Sequence, residues 1–142
     1  MKFRHDFVTN SSSSSYVIAL RKVPDDGTEL SQGLNQLLRA LVYAEGDHDT
    51  YVRQTATSKD ELKWLFADRY GEESFETLMD DKNGWYNTEE IWATFDECMS
   101  VIDDGGEIVY KYVGYGDEAI HDILGSIKGL NTYVKIIEGG DY

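Results

Sequence analysis

Basic residues are scarce in this chain: 13 Lys and Arg stand against 27 Asp and Glu, a formal net charge of −14. Such an imbalance disfavours nucleic acid and anionic membrane as direct partners, favours cationic ones, and strains the compact state through self-repulsion. Proline is limited to Pro24 and cysteine to Cys98. With so little proline there is no sign of an interdomain linker, and a lone cysteine excludes an internal disulfide and suits a reducing compartment. No run approaches the roughly 18 apolar residues of a membrane-spanning helix. The basic start Met1-Lys-Phe-Arg leads into His5, Asp6 and serines rather than an apolar stretch, so cytoplasmic residence is expected.

What is present suffices for a core. Apolar residues make up 41% of the 142 and aromatics 13%, above the level typical of disorder despite the charge. A chain of this size buries roughly 70% of its unfolded surface. The charge is unevenly spread. Between Glu45 and Asp122 there are 21 acids and 6 bases, while the remainder is nearly balanced.

Periodicity sets out the elements. Phe7-Val8-Thr9, a polar connection over residues 10–15 containing Ser11 to Ser15, and the apolar run Tyr16 to Leu20 read as strand, connection, buried strand. Leu34, Leu37, Leu38, Leu41 and Val42 predict a helix over 29–44. Ser58 with Glu61 forms a capping-box pattern opening a helix over 59–70, which Gly71 stops. A shorter helix is expected over 74–81, ended by Asn83-Gly84. Asn87 with Glu90 caps a helix running to Asp103 with Ile91, Trp92, Phe95, Met99 and Ile102 inward. Alternation predicts a strand over 107–113, then a helix carrying Ile120, Ile123, Leu124 and Ile127, and a last strand over 132–137. The unit over 107–137 has room for a parallel crossover, with an antiparallel return left open. The fold class is α+β: one domain, a three- to four-stranded sheet and four or five helices.

Seven residues is nearly two helical turns, so the row Glu89, Asp96, Asp103 and the neighbouring row Glu90, Glu97, Asp104 form adjacent acidic stripes on one helix. The acids at its start suit the helix dipole, whereas Asp103 and Asp104 oppose it. This pattern fits either a solvated face or a ridge that docks on a basic surface, where carboxylates take the places of phosphates. Trp85 and Tyr86, just before it, are residue types that anchor interfaces or fill cores.

Other chemistry is thinner. Glu118-Ala-Ile-His121 and Glu45-Gly-Asp-His48 share a carboxylate–imidazole spacing found at bridged metal sites, with Asp49 and Asp117 as further oxygen donors. Acids this abundant produce such spacing by chance, and His121 falls on the polar side of its helix. Five equivalent serines specify no base and no oxyanion site. Cys98 has the acids Asp96 and Glu97 beside it, and they disfavour a thiolate. Gly114-Tyr-Gly116 lacks the third glycine and the Lys of a phosphate loop, and acids follow it.

The opening Phe3-Arg4-His5-Asp6-Phe7-Val8-Thr9-Asn10, the serine run and Tyr16-Val17-Ile18 together resemble the start of a set of short uncharacterised proteins of bacteria and their phages. The resemblance spans about the first 18 residues, implies bacterial or phage origin, and brings no activity with it. The sequence favours a non-enzymatic, cofactor-free acidic module binding a protein with a basic, nucleic-acid-binding surface, as a phage anti-defence factor or immunity-type inhibitor would. One alternative is a small metal-dependent enzyme using His48 and His121. The other is a phage structural or assembly component with the serine run as its arm.

Overall fold

A computed structural model describes residues 14–46, 49–80, 86–114, 116–127 and 133–139. Nine elements follow in the order β1 (Ser14–Leu20), α1 (Glu29–Tyr43), β2 (Tyr51–Ala56), α2 (Lys59–Tyr70), α3 (Phe75–Leu78), α4 (Thr88–Asp103), β3 (Glu107–Val113), α5 (Glu118–Ile127) and β4 (Val134–Gly139). The expected α+β class is the observed one: five helices and a four-stranded sheet of order β2-β3-β1-β4.

β1 sits inside the sheet, antiparallel to β3 on one side and to β4 on the other, with Ile18 opposite Val109 and Ile136. That position explains its unbroken apolar run, because both of its faces are covered. Tyr16, Ile18 and Leu20 point into a core beneath α1 and α5, which also holds Leu38, Val42, Val109, Val113 and Leu124. Val17 and Ala19 point into the opposite core, shared by Ala56, Leu62, Phe66, Phe75, Phe95, Ile108 and Tyr110 beneath α2, α3 and α4. The molecule is therefore three layers, two helices on one face of the sheet and three on the other. Both β3 and β4 are antiparallel to β1 and so run parallel to each other, with β1 between them. The crossover through α5 is thus a split one.

Local signals explain the boundaries. The Ser58 hydroxyl accepts from the Glu61 N–H at 3.2 Å, while the Glu61 carboxylate accepts from the Thr57 N–H at 2.9 Å, one residue earlier than an ideal capping box requires. Ser58→Ala should therefore lower stability by about 1 kcal/mol in urea unfolding; an unchanged midpoint would mean water replaces this bond at no cost. Gly71 ends α2 with φ of 71°, a left-handed conformation that suits glycine. Gly106 enters β3 where a Cβ would lie 2.6 Å from the Leu20 carbonyl oxygen, so only glycine fits without a shift.

Three expectations need correction. β2 falls where no strand was expected; it is an edge strand with a half-polar sequence and a bulge between Val52 and Gln54. Ser14 and Ser15 belong to β1, paired with Val113 and Tyr112, rather than to a polar connection. Trp92 is 45% exposed instead of inward, and Cys98 and Val101 fill the core of α4 with Ile91 and Phe95. The expected strand at Phe7 to Thr9 lies outside the described residues, as do Ser11 to Ser13.

Each sheet edge carries a cation held by a helix carboxylate. Arg53 of β2 makes a two-point bond to Asp68 of α2, at 2.6 and 2.9 Å, and Lys135 of β4 pairs with Glu97 of α4. Charged side chains on edge strands oppose pairing with further strands.

Candidate functional site

The two acidic rows of α4 have different surroundings. Taking 100° per residue, Glu89, Asp96 and Asp103 fall within an arc of about 40°, with Trp92 on its flank toward the core. Glu89, Asp96 and Asp103 are all exposed, and none forms an ion pair with a described residue. They run along about 21 Å of helix at 1.5 Å per residue.

The second row is partly neutralised. Glu97 is ion-paired with Lys135, and Asp104 lies 3.6 Å from the Arg21 guanidinium. Glu90 is exposed; its backbone N–H is capped by the Asn87 side chain at 3.2 Å. These contacts tie α4 to β4 and to the segment after β1, which leaves the outer row as the free acidic face.

Beside that row Trp92 covers two buried rings of the core. The Trp92 ring meets Phe75 at 5.4 Å and Phe95 at 5.7 Å, both edge-on. Phe75 in turn lines a cleft of about 220 Å³ with Asp60, Lys63, Trp64, Ser74 and Glu76. Trp64 is 63% exposed. It also lines a larger cleft of about 620 Å³ with Tyr51, Arg53, Gln54, Ala67, Asp68, Glu72 and Glu73. Exposed tryptophans beside carboxylates fit cationic groups, which the ring face and the anion both attract.

Sequence reasoning placed aromatic anchors at Trp85 and Tyr86. Trp85 lies outside the described residues. Tyr86 is half-buried, donating from its hydroxyl to the Tyr70 carbonyl oxygen at 3.0 Å and facing Glu72 at 3.1 Å, so it staples the segment before α4 to the end of α2. Among the described residues the exposed tryptophans are Trp64 and Trp92. The signal for Trp64 was available: Leu62 and Leu65 are both buried, and the residue two after the first and one before the second points elsewhere.

The histidine reading also changes. His121 is half-buried rather than free on a polar face, with Nδ1 2.9 Å from the Tyr16 hydroxyl, because α5 lies across the sheet face to which Tyr16 belongs. His48 lies outside the described residues, and among those described no group of three or more His, Cys, Asp or Glu is arranged to hold a metal. Asp117 accepts from the Thr50 hydroxyl, which itself accepts from the Gly114 N–H at 2.9 Å; these groups brace the turn into α5. Cys98 is fully buried, and burial together with Glu97 pushes its thiol up to about 12, so it remains protonated at neutral pH.

In comparisons with known proteins, no family model, no curated protein and no solved structure matches the chain. Among the described residues no helix is long and apolar enough to cross a membrane.

Proposed function

We propose that this protein is a binding module that presents the outer row of α4 to a basic surface on a partner protein, without cofactor or chemistry of its own. The observation carrying this reading is the alignment of Glu89, Asp96 and Asp103, exposed and unpaired among the described residues, beside the half-exposed Trp92. A row of carboxylates presents anions that accept forked hydrogen bonds from arginine, as phosphates do. A surface that otherwise holds nucleic acid is therefore the natural counterpart. The resemblance of the first 18 residues to short bacterial and phage proteins supports a phage anti-defence or immunity-type setting within the cytoplasm.

Electrostatic complementarity of this kind governs encounter rate and specificity, and salt weakens it. The test is the triple substitution Glu89→Lys, Asp96→Lys and Asp103→Lys. The fold should persist, since all three side chains are exposed, while affinity for a partner recovered at low salt should fall at least 100-fold by calorimetry. A folded triple variant that bound and inhibited that partner as the parent does would remove this function.

A further inference from the structure

The two clefts that meet at Trp64 have no part in the acidic row. They are separate surfaces with Trp64 as their common wall, one lined by Asp60, Lys63, Ser74, Phe75 and Glu76, the other including Tyr51, Glu72 and Glu73. Leaving an indole 63% exposed between two concavities keeps apolar area in water that folding alone does not use. We propose that the Trp64 clefts receive arginine side chains from an extended segment of the partner, so that the protein reads arginine rather than positive charge in general. This proposal deepens the binding function above and rests on it.

Three observations converge on a guanidinium. First, the wall is aromatic and exposed, and a planar, weakly hydrated guanidinium stacks on an indole face better than a compact, strongly hydrated ammonium does. Second, carboxylates line both clefts: Asp60 and Glu76 in the smaller, Glu72 and Glu73 in the larger. They can accept the forked donors of a guanidinium lying on the ring. Third, the smaller cleft already holds a cation of the chain's own, because the Lys63 ammonium sits 5.8 Å from the centre of the Phe75 ring. That contact shows the lining to be hospitable to positive charge, and it makes Lys63 a competitor of any incoming side chain. In the larger cleft Arg53 is satisfied by Asp68, so it leaves Glu72 and Glu73 unneutralised by arginine.

An extended occupant follows from the geometry. Alternate residues of a strand lie about 6.8 Å apart on one side, a spacing suited to placing one arginine in each of two adjoining clefts. The partner segment would then bear arginine at every second position and cross Trp64 toward the acidic row and Trp92.

The test uses the full chain and two synthetic peptides of equal length and charge, Gly-Arg-Gly-Arg-Gly-Arg-Gly and its lysine counterpart, titrated by calorimetry at 0.15 M salt, on the order of physiological ionic strength. The parent protein should bind the arginine peptide about 10-fold more tightly than the lysine peptide. Trp64→Ala should abolish that preference, and Lys63→Gln should increase affinity for the arginine peptide several-fold while keeping the preference. Equal affinity for the two peptides, or an arginine preference undiminished in folded Trp64→Ala, would overturn the proposal. The two readings fail separately. Binding that is salt-sensitive and lost in the triple α4 variant, but blind to arginine against lysine, keeps the row and sinks the clefts. An arginine preference that depends on Trp64 and survives the triple variant keeps the clefts and sinks the row.

Discussion

Lys111→Ala should lower the stability of this protein by about 3–4 kcal/mol in urea unfolding, more than any other single change among its charged residues. Lys111 lies mid-strand in β3 and is fully buried, on the face that also carries Val109 and Val113. Its ammonium donates to the Val42 carbonyl oxygen at 2.8 Å and to that of Ala44, closing the C-terminal end of α1. Helices end with carbonyls that have no partner within the helix, and α1 has no basic residue in its last turn. The strand supplies the missing donor. Alanine would remove both hydrogen bonds and leave a void where the stem had been. Lys111→Met keeps most of that stem and sheds a desolvated charge but leaves the same two carbonyls without a donor, so its loss should fall to about 2 kcal/mol.

The same amine gives a pH signature. Burial pushes it down to about 8 from an ordinary value of 10.5, with Glu45 acting in the opposite direction. Between those two pH values the unfolded chain binds more protons than the folded one, so this residue's contribution to stability grows as pH rises through the window and is flat below it. Measured as the difference between the parent and Lys111→Met, which cancels the tyrosine titrations, stability should increase by about 2–3 kcal/mol from pH 8 to 10.5. A difference that shrank with pH would mean that the folded protein favours the ammonium after all.

Arg69→Ala should cost about 3 kcal/mol, and Glu138→Ala a similar amount, because each leaves its partner charge in a half-buried place. Arg69 donates to Glu138 at 2.9 Å and to the Ser15 hydroxyl at 3.0 Å, and its guanidinium lies 5.7 Å from the centre of the Tyr110 ring. Tyr70 donates to the other Glu138 oxygen at 3.1 Å. One arginine thereby ties α2 to β1 and to the edge strand β4. The double substitution Arg69→Ala with Glu138→Ala should cost less than the two single changes added together, since it strands neither charge. Full additivity in that cycle would show that the pair contributes through packing alone.

How much of this was legible in the residues depends on which physical signal each feature left. The boundaries of α2 and β3 were readable because a hydroxyl cap, a terminal glycine and a run of β-branched and aromatic residues each act over a few neighbouring positions. The placement of β1 between β3 and β4 was not, since no local pattern tells an interior strand which distant segments flank it. β2 escaped notice because an edge strand buries one face incompletely, and Tyr51-Val-Arg-Gln-Thr-Ala alternates too weakly to separate from a loop. On α4 the acidic rows were plain from a seven-residue spacing. Their inequality was not, because the bases that neutralise Glu97 and Asp104 come from Lys135 and Arg21, remote in the chain. The Trp64 clefts depend on α2, α3 and β2 coming together, so only the assembled surface reveals them.

The central position of β1 has a bearing on how the molecule is made. Its two hydrogen-bonding neighbours are β3 and β4, which emerge from the ribosome only after α1, β2, α2, α3 and α4 have been synthesised. Until then Tyr16 to Leu20, an unbroken apolar run, lacks both of these strands. Contacts across such separations slow folding, and an unpaired apolar strand invites association with other nascent chains. A polypeptide arrested before Glu107 should therefore depend on chaperone cover, while the released one closes its sheet around that first strand in a single late step.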